Sequence, residues 1–198
     1  SMKNILLAFV MSISFASFSQ DIYRDIGDQE EKLSSEFDNI VNLYRAGDFE
    51  EAIEYADKIL ENTEDLFYKS LIVFYKGLSY DSSGDINNAI TSYTVSLGIA
   101  PRVATFNSRA SAYLSIDNYS NALKDVKSAF ELINQTTDER EKEIIGGVDM
   151  QASLLTIQIM SSTGLGLDTC ENYRKLVKIS SIDEIPESMV DYHENNCY

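Results

Sequence analysis

The chain has 198 residues, of which 16 are basic and 32 are acidic, so its formal net charge is −16. A surface this acidic is repelled by phosphate backbones and by anionic lipid headgroups, which argues against nucleic acids and lipid surfaces as partners. The length is sufficient for one domain with a continuous core, and two prolines with nine glycines leave little room for linkers. We therefore predict one elongated domain.

The N-terminus has the pattern of a secretory signal peptide. Ser1 is typical of a residue left by an expression tag, and Lys3 supplies the short positive region that precedes the apolar run 5–18. This run is shorter than the ~20 residues that a helix needs to span a bilayer. Ser17 and Ser19 are small residues at the positions that precede a cleavage site.

We therefore predict that residues 1–19 comprise a tag residue and a cleavable signal peptide. The mature protein is then exported, either to the periplasm or into the medium, and keeps no stable membrane span. The alternative is a buried or membrane-anchoring helix. No cysteine lies at the cleavage site, so a lipoprotein anchor is not indicated.

A repeat begins after this segment. Three stretches of the chain align without a gap, and their alanines Ala52, Ala89 and Ala122 recur after 37 and then 33 residues. A recurrence of this length indicates a stacked repeat architecture. The three stretches are 47–60, 84–97 and 117–130.

The segment before each stretch also aligns. In both parts, apolar or small residues recur at spacings of three, four and seven, which places them on one face of an α-helix. We therefore predict that each unit is a pair of antiparallel helices. The tight turn between them lies at Gly47, Gly84 or Asp117, residue types that tolerate a positive φ. The preceding segments are 36–46, 73–83 and 106–116.

This pattern resembles the tetratricopeptide repeat, a unit of two helices and 34 residues. The resemblance covers residues 34–134 and departs from the family at Ile40, where the repeat has a small residue. It implies an all-α, right-handed superhelical stack of about three repeats, a form that binds other chains and seldom performs catalysis. The alternative is three unrelated amphipathic hairpins. The second unit matches best, at Gly77, Tyr80, Gly84, Asp85, Ala89, Tyr93 and Pro101.

After the third unit the repeat loses its register. With Gly164 as the turn residue, Ile157 and Met160 occupy the positions of the conserved small and aromatic residues of the repeat. We interpret 135–198 as a degenerate fourth unit and C-terminal cap, and 20–134 as an N-terminal helix followed by three repeats. The predicted elements of the last part are a loop at 135–143, a buried helix over 144–160, a turn at 162–169, and short helices over 170–177 and 186–192.

Cys170 and Cys197, the two cysteines of the chain, both lie in this closing part. In an exported protein two cysteines argue for one disulfide, which the chain-entropy model values at about 3–4 kcal/mol for this separation. Two buried free thiols and a redox-active pair are the alternatives, although redox pairs are normally closely spaced. The placement is similar to that in small secreted bacterial tetratricopeptide proteins, which implies the same disulfide.

Motifs that perform chemistry are scarce. His193 is the only histidine, and a metal site made with Asp191 and Glu194 would lack the usual second His or Cys. A serine or cysteine nucleophile would need the same histidine as its base. The glycines within 164–166 lack the ending of a phosphate-binding loop. We therefore predict a non-enzymatic protein with no catalytic residue, no metal site and no cofactor.

The family resemblance also implies a binding site. The first helix of each tetratricopeptide unit lines the concave face, where Asp81 also falls. The lysine, asparagine and arginine side chains of carboxylate-clamp repeats have no counterpart at the matching positions. Arg45 and Arg109 are either polar anchors beside the groove or partners in surface ion pairs. The predicted peptide-binding groove consists of Phe37, Val41, Tyr44, Leu71, Phe74, Leu78, Asn107 and Ser111.

Two functional hypotheses follow. The leading one is an exported interaction module that binds a peptide or protein segment in this groove. The alternative is a structural subunit or homo-oligomer whose concave face is buried against another copy. It also remains open that Phe37, Phe74 and Leu78 are core residues covered by a helix at 22–33 or by the C-terminal segment.

Overall fold

The computed structural model describes residues 30–137, 142, 145–181 and 184–197. Within these ranges the chain is all-α, without a strand, and none of the helices is long and apolar enough to cross a membrane. The signal peptide predicted at 1–19 lies outside the described residues, as does most of the helix predicted at 22–33. The helices are α1 (30–46), α2 (Phe49–Leu60), α3 (Leu66–Ser82), α4 (Ile86–Ile99), α5 (Val103–Ser115), α6 (Tyr119–Gln135), α7 (Val148–Gly164), α8 (Cys170–Ile179) and α9 (Glu187–Asn196).

Successive helices form hairpins that stack on one another. The most extensive contacts join α3 to α4 and α5 to α6, and each of these hairpins also contacts the next through α4 with α5 and α6 with α7. The first helices of neighbouring hairpins also touch, α3 with α5 and α5 with α7. The all-α helical repeat stack predicted from the sequence is therefore confirmed. We call the side formed by α1, α3, α5 and α7 the first-helix face.

Three turns of the stack share one backbone geometry. Gly47, Gly84 and Asp117 have φ values of +86°, +87° and +57°. At the second turn, the N–H of Gly84 donates to the carbonyl of Asp81 (3.0 Å) and the N–H of Asp85 donates to the carbonyl of Tyr80 (2.8 Å). The same two bonds recur at the other turns, and they satisfy carbonyls that a helix leaves unpaired at its C-terminus.

A fourth turn of this kind lies two residues later than the sequence indicated. Gly166, with φ +69°, donates to the carbonyl of Thr163, and Leu167 donates to that of Ser162, both at 2.9 Å. The assignment of Gly164 as the turn residue was therefore wrong. Gly164 ends α7, and a Cβ there would lie 2.5 Å from the ring of Tyr119, so this glycine permits close packing instead.

The correction changes which residues are equivalent along the stack. In the first three hairpins, the residue six positions before the turn residue is Val41, Leu78 or Ser111, and all three are predicted groove positions. In the fourth hairpin, the residue six positions before Gly166 is Met160. Met160 therefore belongs to the same row of the first-helix face. The helix that carries it was predicted over 144–160 and is observed at Val148–Gly164, while residue 144 lies outside the described residues.

The core runs through the stack as four clusters of buried side chains between adjacent hairpins. Small residues make the close approach possible: Ala52, Ala89 and Ala122 are all fully buried. The buried residues of the clusters, from the first hairpin to the last, are Ile40, Ala56, Ile59 and Ile72; Ala89, Tyr93 and Ala112; Val103, Ala110, Ala122, Val126, Ala129, Ile133, Leu154 and Ile157; and Leu155, Ile159, Leu176, Ile185 and Met189.

The last cluster forms the C-terminal cap. α8 and α9 pack on α7 through Leu176 and Met189, and a disulfide joins Cys170 to Cys197 with a Cα–Cα distance of 5.4 Å. The disulfide favoured from the sequence is confirmed, so the alternative of two buried free thiols is excluded. It connects the first residue of α8 to the residue that follows α9, and so holds the last helix against the stack.

Candidate functional site

The predicted groove residues lie on the first-helix face but differ in how much of them is accessible. Val41 is buried, and Ser111 is exposed. The remaining six are partly buried, so each contributes to packing and presents part of its surface to solvent. They are Phe37 and Tyr44 on α1, Leu71, Phe74 and Leu78 on α3, and Asn107 on α5.

An aromatic cluster connects α1, α3 and α4. The Tyr75 ring lies at its centre, 5.4 Å from Phe37, 5.8 Å from Tyr44 and 5.7 Å from Phe74 between centroids, each in an edge-to-face arrangement. Phe74 in turn contacts Tyr93 at 5.9 Å. Pairs of this geometry stabilise a fold beyond the area that they bury. The predicted groove aromatics therefore pack against one another, through Tyr75, which the groove prediction left out.

Asp81 adds a carboxylate to this face. The Tyr93 hydroxyl donates to Asp81 Oδ2 at 3.2 Å. Burial raises the pKa of Asp81 above its ordinary value, and the hydrogen bond from Tyr93 opposes that rise. Burial and the neighbouring Asp81 charge likewise raise the pKa of Tyr93. Among the described residues Asp81 has no basic partner, so its charge is available to a ligand on this face.

Arg109 is not available to a ligand. Its Nε and Nη2 atoms donate to the two carboxylate oxygens of Asp125 at 2.7 Å each, and Nη1 donates to Thr94 Oγ1 at 2.9 Å. Asp125 is only 4% exposed. The hydrogen bond to Asp125 raises the pKa of Arg109, while burial opposes the rise. Arg109 was predicted either to anchor a ligand or to form an ion pair, and it forms an ion pair. This pair connects α5 to α6. Arg45 is exposed.

Towards the C-terminal end the face becomes small and polar. Ser153 of α7 donates to Asn107 Oδ1 at 3.0 Å, which joins the first helices of the third and fourth hairpins. Ser111, on the same helix as Asn107, is exposed.

His193 is a structural residue of the cap. It is 2% exposed, its ring stacks on Tyr173 at 4.2 Å, and Nδ1 lies 2.7 Å from the Met189 carbonyl. Since a carbonyl only accepts, Nδ1 donates to it, and Nε2 lies 2.6 Å from the Thr169 hydroxyl. Both nitrogens are therefore occupied, whereas the neighbouring Asp191 is exposed. No cluster of three potential metal ligands occurs within the described ranges.

A cavity of about 240 Å³ lies between α7 and α9. Its apolar lining comes from Ile159, Met160, Pro186, Met189 and Tyr192, with His193 beside them. The sequence analysis did not predict this cavity, because it forms only where α9 packs beside α7, and no local pattern of the sequence indicates that contact.

A second, larger cavity of about 720 Å³ lies at the other end of the stack, between α1 and the connection from α2 to α3. Its lining is mixed, with Leu33, Ile59 and Tyr68 among charged residues such as Glu36 and Lys58.

No protein-family model matches the chain, and no curated protein matches its sequence.

Proposed function

We propose that this protein is an exported, non-enzymatic interaction module of the tetratricopeptide type, which binds a peptide or protein segment along the first-helix face. The observation that carries the proposal is the row of equivalent positions Leu78, Ser111 and Met160, each at least partly exposed. They lie on α3, α5 and α7, and each of these helices contacts the next. A stack of this kind presents one extended surface, and such surfaces typically bind other chains.

The chemistry of the face fits a protein ligand. Partly exposed aromatic rings at Phe37, Tyr44 and Phe74 offer apolar contact area, and aromatic side chains are enriched in protein interfaces. Asp81 supplies a carboxylate that has no basic partner among the described residues, and Ser111 supplies an exposed hydroxyl. The one histidine has both ring nitrogens occupied, which supports binding over catalysis.

The disulfide supports export, because such bonds persist in oxidising compartments and are rare in the cytosol. In this proposal residues 1–19 are removed, 20–134 form the binding repeats, and 135–198 close the stack. Sequencing the N-terminus of the protein recovered from a periplasmic or secreted fraction tests the first step. Gln20 as the first residue is expected, and a protein that keeps Lys3 would contradict cleavage.

Site-specific photocrosslinking tests the binding surface itself. The photoreactive residue p-benzoylphenylalanine is incorporated at Ser111, which is exposed on the first-helix face, and separately at Thr91, which is exposed on α4. The two positions match in size and exposure but belong to different helix layers. After irradiation in an envelope extract of the producing cell, we expect discrete adducts from position 111 and none from position 91.

Three other outcomes contradict the proposal. Equal adducts at both positions indicate unspecific contact. No adduct at either position leaves the face without a ligand. An adduct of twice the mass of the protein, formed only at position 111, indicates that the face is buried against a second copy. The protein would then be a homo-oligomer, which is the alternative hypothesis from the sequence.

A further inference from the structure

The cavity between α7 and α9 stays open although apolar residues surround it. Met160 and Tyr192 at its rim are 44% and 41% exposed, which is high for large apolar side chains. Ile159 and Met189 within it are nearly fully buried. Since exposed apolar surface of this kind marks interaction sites, the cavity is a place where a ligand removes apolar area from water.

The size of the cavity indicates what enters it. Pockets for small molecules usually measure about 300–1,000 Å³, and this cavity, at about 240 Å³, is smaller. It has room for one large side chain. The ring nitrogens of His193 are already bonded to Thr169 and Met189, so the cavity wall offers that side chain mainly apolar contact.

Charge indicates what flanks that side chain. The charged residues of α9 are Glu187, Asp191 and Glu194, all acidic, all exposed and each next in sequence to a residue of the cavity lining, and neither α7 nor α9 contains a lysine or arginine. The basic residues of α8 contribute nothing to the cavity lining. A segment with lysine or arginine beside its apolar residue is therefore attracted to this end of the face, and an acidic one is repelled.

We propose that the cavity between α7 and α9 is the anchoring site for one large apolar side chain of a basic partner segment. The inference rests on the proposed function and extends it, because Met160 occupies the same row of the first-helix face as Leu78 and Ser111. The partner segment then lies along the face, with its apolar anchor at the C-terminal cap.

The methionines of the chain provide a direct test. Met160 and Met189 line the cavity, and Met150 lies outside it on the same helix as Met160. The full chain is labelled with ¹³C at the methionine methyl groups and titrated with short synthetic peptides of lysine and glycine around one phenylalanine. We expect the Met160 and Met189 methyl resonances to shift on binding and the Met150 resonance to stay in place.

Two control peptides separate the two parts of the proposal. Replacing the phenylalanine with alanine should weaken binding at least about tenfold, because the buried apolar area is lost. Replacing the lysines with glutamates should abolish binding, and added salt should weaken the lysine peptide. Absent shifts at Met160 and Met189, or equal shifts with all three peptides, overturn the proposal.

Variants of α9 provide matched controls. Ser188→Trp fills the cavity from its rim and should abolish the response, whereas Asn195→Trp, at an exposed position outside the cavity, should preserve it. Glu187→Gln with Asp191→Asn should lower the affinity for the lysine peptide. These exposed residues can change without disturbing the core, and circular dichroism verifies the fold. Unchanged binding by Ser188→Trp contradicts the proposed site.

The two proposals fail separately. If position 111 forms adducts but the cavity methyl groups do not respond, the face binds a partner and the anchoring site is wrong. If the methyl groups respond but position 111 forms no adduct, the cavity binds basic segments and the extended face does not.

Discussion

Replacing Gly77 with alanine probes the closest packing in the stack. A Cβ at this position would lie 2.6 Å and 2.7 Å from two carbons of the Tyr93 ring, roughly 1 Å inside the optimal separation of carbon atoms. The ring is restrained, because Tyr93 is fully buried and its hydroxyl is hydrogen-bonded to Asp81. Accommodating the methyl group therefore requires movement of α3 against α4.

The magnitude follows from two opposing effects. Overpacking a buried contact costs about 1–3 kcal/mol, and the restrained ring places this case at the upper end. Alanine regains about 0.8–1 kcal/mol of helix propensity. We therefore expect Gly77→Ala to lower the free energy of unfolding by about 2 kcal/mol. Gly98→Ala in α4 is the matched control, because nothing lies within 4 Å of its added Cβ, and it should be neutral or slightly stabilising.

Guanidinium denaturation followed by far-UV circular dichroism, with the disulfide intact, measures both variants. A Tyr93→Leu background should remove most of the cost of Gly77→Ala, because the ring that the methyl group meets is gone. A Gly77→Ala variant as stable as Gly98→Ala, or a loss of stability that persists in the Tyr93→Leu background, would contradict this prediction.

Three further predictions concern other contacts. Cys170→Ser should lower the free energy of unfolding by about 3–4 kcal/mol and abolish the effect of a phosphine reductant on denaturation; a reductant effect that persists would contradict this. Arg109→Ala should cost about 3–5 kcal/mol, since it leaves the Asp125 carboxylate buried without its partner, whereas exposed Lys127→Ala should change stability by less than about 1 kcal/mol in the same denaturation assay. Asp81→Asn should exceed the wild type in stability at pH 7, because burial raises the pKa of Asp81 and its ionisation therefore destabilises the folded state. This advantage should shrink as the pH falls through the raised pKa and vanish below the ordinary pKa of aspartate, and a denaturation series that shows a constant difference at every pH would disprove it.

The hairpin stack was predictable because its determinants are local in sequence. Gly47 and Gly84 allow a positive φ, and small residues such as Ala89 and Ala122 recur at the spacing of a helix face. Each of these signals lies within one hairpin, so periodicity alone is enough to detect it.

The fourth turn was not predictable to the residue. Gly164 and Gly166 are two residues apart, and either can end a helix. The choice depends on the Tyr119 ring, which packs against Gly164 from a helix 45 positions earlier in the chain. Contacts over such separations are not encoded in a local pattern.

The sequence was sufficient to assign the candidate residues to α1, α3 and α5, but not to predict how accessible they are. Helical spacing places Phe37 and Phe74 on the first-helix face, but the Tyr75 ring that engages both depends on how α1 and α3 cross. His193 likewise finds Thr169 on another element, 24 residues away. Side-chain partners of this kind are properties of the packed stack.

The disulfide also determines how the protein responds to mechanical force. Tension applied at the C-terminus enters the chain at Cys197 and passes through the sulfur–sulfur bond directly to Cys170, the first residue of α8. The enclosed residues, α9 among them, carry no load and cannot be pulled out. The chain therefore extends roughly 9 nm less than its length allows when it is unravelled from this end. Force instead reaches the junction of α7 with α8, and the turn at Gly166 is the first part of the stack to bear it.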